Sequence, residues 1–310
     1  MFWNRDSRLR GNDLRMERLG AVPNEPCMNY RHAYHAGGFV DVVKHITLTR
    51  LIEYLKRKPA AFRIIDTHAG IGRYDLTGEE ARRSPEWLEG IGRLFERGLP
   101  PEAEALARPY LDVVREENPG GALTSYPGSP LLARKLLRPQ DRLFAMELHP
   151  EDAQALGRLF SGDVQARVIA LDGWLALGSQ LPPKEKRGLV LIDPPFEAPG
   201  EFERLVEGLV RAHRRWPGGV YALWYPLKDQ KERDGFVGAL AVTGIPKMLR
   251  SEVMVRASAH PPRLFGTGMI VVNPPYTLEA ELGVLLPALA AALADNGRGG
   301  WRLEWIRGEG

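Results

Sequence analysis

Short, continuously apolar runs that alternate with helical patterns constrain the fold of this chain more than any other feature. In chain order the runs read FRIIDTH, RLFAMELH, ARVIALDG, GLVLIDPP, GGVYALWYP, KMLRSEVMVRA and GTGMIVVNPP. Strands that are apolar along their whole length are typical of parallel sheets covered on both faces. Strands separated by helices predict a doubly wound α/β sheet. The last two runs have no helix-length segment between them, so we expect them to form an antiparallel pair at the sheet edge.

Composition excludes several classes of protein. The only cysteine is Cys27, so neither a disulfide framework nor a cysteine-rich zinc site is possible, and a cytoplasmic location is expected. The longest apolar stretch, LGVLLPALAAALA, contains a proline and is too short for a bilayer span, so no membrane association is predicted. The net charge of +3 and pI of about 9.0 permit nucleic acid as a partner without requiring it.

The chain divides into three parts by pattern. Residues 1–27 lack apolar periodicity and end before Met28, which indicates a disordered tail or a wrongly assigned start. Residues 28–76 and 125–310 form the main domain, which begins with one helix predicted from Tyr34 to Lys58. Residues 77–124 carry two amphipathic patterns and predict an inserted helical lobe above the carboxyl edge of the sheet. That insert has 6 Arg against 10 Asp and Glu, so it is a poor partner for phosphates.

Glycines and carboxylates follow successive predicted strands. Gly70 and Gly72 come after the first strand and allow a tight turn that approaches a ligand closely. Glu147 ends the second strand and Asp172 follows the third. Because parallel strands deliver their carboxyl ends to one crevice, these residues predict a shared binding site there.

The acids in this series suit a nucleoside ligand. A carboxylate at Glu147 can accept both hydrogen bonds of a ribose diol. Asp172 would accept the exocyclic amine of an adenine, with Gly173 leaving room for the ring. For Asp172 the alternative is a simple N-cap of the following helix.

The most specific motif is Asp193-Pro194-Pro195-Phe196, directly after a buried strand. The Asp193 carboxylate and the Pro194 carbonyl can accept the two hydrogens of a planar amine, which localises its lone pair for attack on a methyl donor. Phe196 can stack on an extruded base. A second copy, Asn273-Pro274-Pro275-Tyr276, ends an antiparallel strand, so its loop should lie at the other edge of the sheet and have no catalytic role.

Aromatic and basic residues interleave at the start of the main domain, where Tyr30, Arg31, His32 and His35 lie close together in sequence. This pattern is suited to stacking on nucleotides and contacting phosphates, although an ordinary helix start is an equally good interpretation. No third ligand stands at metal-binding spacing from the two histidines, so we predict no metal site.

Several motifs together resemble the large-subunit ribosomal RNA adenine-N6 methyltransferase J family, in order and over residues 28 to about 305. They are YRHAYHAGGFVDVVKH, DTHAGIGRYDL, YPGSPLLAR, ELHP, the Asp-Gly pair, LIDPPFE, GGVYALWYP and GMIVVNPP. The predicted layout also resembles the S-adenosylmethionine-dependent methyltransferase Rossmann fold, a seven-stranded, mostly parallel sheet with an antiparallel edge strand and a small helical insertion.

The resemblance implies a monomeric enzyme that methylates one adenine of 23S ribosomal RNA with S-adenosylmethionine. It implies that Asp193 acts on the adenine amine and that Tyr30 touches the RNA. The residues that it assigns to the methyl donor are His45, His68, Ser129, Glu147, Asp172 and Gly173.

The chain differs from the family pattern in two places, and three alternative functions remain compatible with its residues. The family begins near Met28, and Phe196 replaces a more usual tyrosine, keeping the stacking face without the hydroxyl. Adenine in DNA and glutamine in proteins present a planar amine to the same acceptors. A non-catalytic RNA-binding module with a degenerate site is the third alternative.

Overall fold

A computed structural model of the chain describes residues 32–259, 263–296 and 299–308. The strands are β1 Arg63–Asp66, β2 Arg73–Asp75, β3 Ser125–Pro127, β4 Arg142–Glu147, β5 Ala166–Ala170, β6 Gly188–Ile192, β7 Val220–Leu227, β8 Met248–Met254, β9 Gly266–Val272 and β10 Gly300–Arg307. The helices are α1 Phe39–Lys56, α2 Glu79–Arg83, α3 Arg93–Arg97, α4 Pro101–Glu116, α5 Ser129–Leu136, α6 Pro150–Leu159, α7 Gly173–Ser179, α8 Glu201–Arg215, α9 Gln230–Val242 and α10 Leu278–Leu293. A 3₁₀ turn at His32–Tyr34 and a π-helical turn at Leu88–Gly92 complete the elements.

One eight-stranded sheet organises the molecule in the order β10-β8-β9-β7-β6-β1-β4-β5. Strands β1, β4, β5, β6 and β7 pair in parallel, as the apolar runs predict. Strand β9 is antiparallel to both β7 and β8, which confirms the predicted antiparallel pair. The prediction of seven strands is wrong by one, because β10 pairs with β8 and takes the edge position.

Helices cover both faces of the sheet. Buried side chains of α1, α4, α5, α6 and α10 form the core on one face, and those of α7, α8 and α9 form the core on the other. Helix α10 is apolar around most of its circumference, as expected of a helix buried between layers. Among the residues described, no helix combines the length and hydrophobicity that a bilayer crossing requires.

Residues 77–124 contain α2, α3 and α4, and the segment is bracketed by the small ribbon of β2 and β3. Arg93 and Arg97 donate hydrogen bonds to carbonyls at the C-terminal end of α10. The buried side chains of α4 are continuous with the core around α1. Packing alone therefore does not mark the insert as a separate unit, and its assignment as a lobe stays a prediction.

Helix α1 begins later than its sequence pattern predicts. The pattern starts at Tyr34, but the helix starts at Phe39, because Gly37 adopts a left-handed φ of 76° and Gly38 is extended. The basic residues at its C-terminal end, Lys56 and Arg57, lie where a helix dipole favours cations. The tail of residues 1–27 lies outside the described residues, as do Tyr30 and Arg31.

Candidate active site

Four carboxylates lie along the carboxyl edge of the parallel strands. Asp66 is the last residue of β1, and Glu147 is the last of β4. Asp172 follows β5 by two residues, and Asp193 directly follows β6. The parallel pairing thus gathers residues that are far apart in sequence into one crevice, as predicted from the strand ends.

The turn after β1 is bound to the end of β4. The Gly70 amide donates to Glu147 Oε2 at 2.7 Å, and the His149 amide donates to Oε1 at 2.8 Å. Gly70 has a φ of 62°, and a Cβ there would lie 2.2 Å from the Tyr74 hydroxyl, so only glycine fits. Burial raises the pKa of Glu147, although these amides act in the opposite direction. The carboxylate is held in a fixed orientation, and each oxygen keeps a lone pair for a further donor.

Asp172 caps α7, which is the alternative that its position left open. Its Oδ1 accepts the Trp174 amide at 2.8 Å. A Cβ on Gly173 would lie 2.1 Å from the Thr67 carbonyl oxygen. The missing side chain of Gly173 is therefore required for α7 to approach the turn after β1, and its role in leaving room for an adenine ring stays a prediction.

Asp66 contacts both Ser129 and the backbone of His68 at the start of the turn after β1. Ser129 Oγ donates to Asp66 Oδ2 at 2.6 Å. Burial raises the pKa of Asp66 to about 7. Burial lowers the pKa of His68 to about 4, so its ring is neutral, and it lies edge-on to Trp174. Asp66 was not selected from the sequence, although it ends the same strand that carries the glycine turn.

His45 is 1% exposed within the helical layer. Its ring stacks on Tyr126 with centroids 5.6 Å apart, and its Nδ1 lies 2.9 Å from the Tyr126 hydroxyl. Burial lowers the pKa of His45 to about 3. A contact of this ring with a methyl donor stays a prediction, and it requires neighbouring side chains to move.

A buried lysine that sequence reasoning missed holds the predicted catalytic carboxylate. Lys44 of α1 is 2% exposed and donates to Asp193 Oδ2. The same ammonium lies 2.9 Å from Asp41 Oδ1 and 5.9 Å from the centroid of the Trp224 ring. Burial opposes the charged ammonium, but the carboxylates of Asp193 and Asp41 outweigh it and raise the pKa of Lys44. Asp193 is therefore fixed through one oxygen by a permanent positive charge.

Asp41 connects this ion pair to the segment that precedes α1. Its Oδ2 accepts the Gly37 amide at 3.0 Å and lies 2.9 Å from His32 Nε2. Burial favours the neutral acid, but His32 and Lys44 together hold the pKa of Asp41 well below its ordinary value. The chain just after Tyr30 and Arg31 is thereby fastened to the site.

Phe196 lies in an aromatic cluster next to Asp193. Its ring is edge-on to Trp224 at 5.3 Å and tilted against Phe202 at 4.8 Å. Its φ of 54° is uncommon for a residue with a side chain, and such conformations cluster at functional sites. The ring is half-buried and Pro194 is buried. Stacking of Phe196 on a base stays a prediction.

The second Pro-Pro motif lies at the opposite edge of the sheet, as its antiparallel strand predicts. Asn273 has a φ of 52°, and its Nδ2 donates to the carbonyls of Pro217 and Gly219, which precede β7. Tyr276 is 81% exposed and lies edge-on to Tyr54. The motif closes a loop at the amino ends of the parallel strands and is remote from Asp193.

Comparison with known proteins gives a consistent set of similarities. Residues 59–307 match the family described as "Ribosomal RNA large subunit methyltransferase D, RlmJ". The chain is 43% identical to the ribosomal RNA large subunit methyltransferase J of Escherichia coli strain K12 over 280 residues, which cover 90% of this chain and 99% of that protein. It is 41% identical to the protein of the same name from Haemophilus influenzae over 283 residues, covering 91% and 100% of the two chains.

A crystal structure of a Legionella pneumophila protein superposes with a TM-score of 0.80 at 34% identity. The match covers 87% of this chain and 98% of that one. The superposition therefore extends over nearly the whole of that protein and most of this chain.

Proposed function

This chain belongs to the ribosomal RNA large subunit methyltransferase J family, and from that membership and the site geometry we propose that it transfers a methyl group from S-adenosylmethionine to the N6 amine of one adenine in 23S ribosomal RNA. The observation that carries the proposal is the Lys44–Asp193 ion pair at the carboxyl end of β6. We further propose that the protein acts as a cytoplasmic monomer.

The residues of the carboxyl edge fit the methyl donor. Glu147 offers carboxylate oxygens to a ribose diol, and Asp172 offers an acceptor to an adenine amine. The turn at Gly70 has no space for a Cβ and brings backbone close to the same crevice. We assign the donor site to His45, His68, Gly70, Ser129, Glu147, Asp172 and Gly173. When bound, S-adenosylmethionine supplies an electrophilic methyl group.

Asp193 orients the substrate amine. Lys44 occupies its Oδ2, so Oδ1 remains to accept one amine hydrogen, while the Pro194 carbonyl accepts the other. When both amine hydrogens are held by these two acceptors, the nitrogen lone pair is localised instead of being delocalised into the ring. The amine becomes acidic only once it carries the new methyl group and a positive charge, so positioning contributes more than proton removal before attack.

Phe196, Tyr30 and Arg31 are proposed to hold the RNA. Phe196 supplies an aromatic face for the flipped adenine, a contact of about 1 to 3 kcal/mol. Tyr30 and Arg31 precede the His32 turn, which is fastened to Asp41. In this proposal Tyr30 supplies a stacking ring and Arg31 a phosphate-binding cation.

The test is methyl transfer from isotopically labelled S-adenosylmethionine to in-vitro-transcribed 23S ribosomal RNA, with digestion and mass spectrometry of the nucleosides. We expect the label in N6-methyladenosine. Label found only in DNA adenine or in protein glutamine would replace the proposal with one of those activities. Failure of the protein to bind the methyl donor in calorimetry would favour a non-catalytic RNA-binding module.

A further inference from the structure

Arg204 of α8 stands beside Asp172 at the mouth of the donor site. Its Nη2 donates to Asp172 Oδ2 at 3.1 Å, and its guanidinium carbon lies 5.0 Å from the centroid of the Trp174 ring. Trp174 is only 5% exposed and packs against Gly208, where a Cβ would lie 2.9 Å from the ring. The guanidinium is therefore placed by a carboxylate on one side and by a fixed aromatic face on the other.

Asp172 is oriented from both ends. Its Oδ1 accepts the Trp174 amide and its Oδ2 accepts Arg204, so the carboxylate plane is fixed by two elements, α7 and α8. Oδ2 keeps a lone pair, and the guanidinium keeps further N–H groups. An acceptor and a donor thus stand side by side, both partly exposed to the crevice.

This combination matches one edge of adenine. The N6 amine is a donor and N7 is an acceptor, and Asn or Gln amides read that edge with one acceptor beside one donor. Guanine presents two acceptors there and would place O6 against the Asp172 carboxylate. We propose that Arg204 is a specificity-determining residue that pairs with Asp172 to bind the adenine of the methyl donor, with Asp172 accepting from N6 and Arg204 donating to N7. The inference rests on the proposed function.

The pair has little value for folding. Half of the Arg204 side chain is exposed, and an ion pair so placed is screened by solvent and contributes little to stability. Removing the guanidinium should leave the melting temperature nearly unchanged. A loss of ligand affinity in such a variant then reports on binding rather than on unfolding.

The experiment is calorimetric titration with S-adenosylhomocysteine and with its 7-deaza analogue, in which N7 is replaced by carbon. For S-adenosylhomocysteine we expect Arg204→Ala to bind roughly tenfold more weakly than the unsubstituted protein. Arg204→Lys should fall between the two, because it keeps the charge with a single donor group. The control is Arg211→Ala, which removes an exposed arginine of the same helix and should bind as the unsubstituted protein does.

The 7-deaza analogue isolates the proposed contact. The unsubstituted protein should bind it about as weakly as Arg204→Ala binds S-adenosylhomocysteine, and Arg204→Ala should bind both ligands equally. Unchanged or tighter binding of S-adenosylhomocysteine by Arg204→Ala would overturn the inference, as would an equal 7-deaza penalty in both proteins. If the unsubstituted protein binds neither ligand, the proposed function fails instead.

Discussion

Two buried ionic clusters use similar groups in different places. The site cluster is Asp41, Lys44 and Asp193, and the edge cluster is Tyr225, Arg250, Glu252 and Glu304. Each is built on a buried cation, with Lys44 2% and Arg250 3% exposed. In the edge cluster, Arg250 donates to Glu252 within β8 and to Glu304 of β10, while the Tyr225 hydroxyl donates to Glu252.

The difference lies in where the anion stands along its strand. Glu252 is inside β8 and is 0% exposed, so its charge reaches only protein groups. Asp193 lies just beyond the end of β6, and its side chain is 11% exposed. A buried ion pair is costly to desolvate, and the edge cluster uses it to join β10 to the sheet. The site cluster places the same kind of pair where one oxygen can meet a ligand.

The largest expected effect comes from removing the exposed anion of the site cluster. Asp193→Ala should lower single-turnover methyl transfer by about 10²-fold or more, because the amine loses the acceptor that orients it. Asp193→Asn keeps a carbonyl oxygen and should retain measurable activity. Both variants should still bind S-adenosylmethionine, since Glu147 and Asp172 lie on other strands. Equal inactivity of the two variants would make Asp193 a general base.

Removal of each buried cation separates structural from chemical roles. Lys44→Met and Arg250→Met each leave a buried carboxylate without its cation. Each substitution should therefore lower the free energy of unfolding by about 3 to 5 kcal/mol. Denaturant titration measures that loss. Methyl transfer per folded molecule, counted by cofactor titration, should fall only in Lys44→Met. A comparable fall in Arg250→Met would show that the edge cluster also serves the reaction.

The pH dependence of stability should distinguish the site cluster from the edge cluster, because His45 packs beside the site cluster. The pKa of His45 is about 3 when folded, against an ordinary value of 6.5, so only the unfolded chain takes up a proton between these values. Above pH 6.5 the titration of His45 does not lower the free energy of unfolding. As the pH falls from 6.5 toward 3, protonation of the unfolded chain lowers that free energy by up to about 1.4 kcal/mol per pH unit. His45→Gln cannot titrate, so its melting temperature should fall less between pH 6.5 and 4.5. Tyr225→Phe in the edge cluster should keep the original pH slope, and a His45→Gln slope equal to it would contradict this assignment.

The smallest effect is expected at the outer end of the edge cluster. The Glu304 side chain is 42% exposed, so its ion pair with Arg250 is screened by solvent. Glu304→Gln should change the unfolding free energy by less than about 1 kcal/mol in denaturant titration. A loss as large as that of Arg250→Met would mean that β10 depends on this single pair.

The sequence predicted the parallel strands because each is apolar throughout, but it did not predict their order in the sheet, which depends on pairing between strands far apart in the chain. It missed β10, whose residues Trp301, Leu303 and Trp305 alternate with charged side chains in the period of a strand beside a glycine-rich segment. Strands β2 and β3 have three residues each, which is too short for periodicity to register.

The site was predicted from the residues at the strand ends, but Lys44, the buried cation of the site, was not predicted. A lysine in a helix normally reads as a solvent-facing residue. The available signal was that Val42, Val43 and Ile46 surround Lys44 on more than one side, which indicates a helix buried around its circumference. The partner Asp193 is 149 residues away, and only the fold brings the two together.

The position of Lys44 on α1 also bears on where a minimal fragment of this protein can begin. The family match starts at residue 59, after α1 has ended at Lys56. A fragment cut at that boundary would keep the glycine turn, the strand-end carboxylates and the whole Asp-Pro-Pro-Phe motif. It would lack the ammonium that neutralises Asp193, and it would uncover the sheet face on which α1 packs. A boundary drawn from the family match alone would therefore yield a fragment that has the glycine turn and the strand-end carboxylates but lacks the cation that pairs with Asp193.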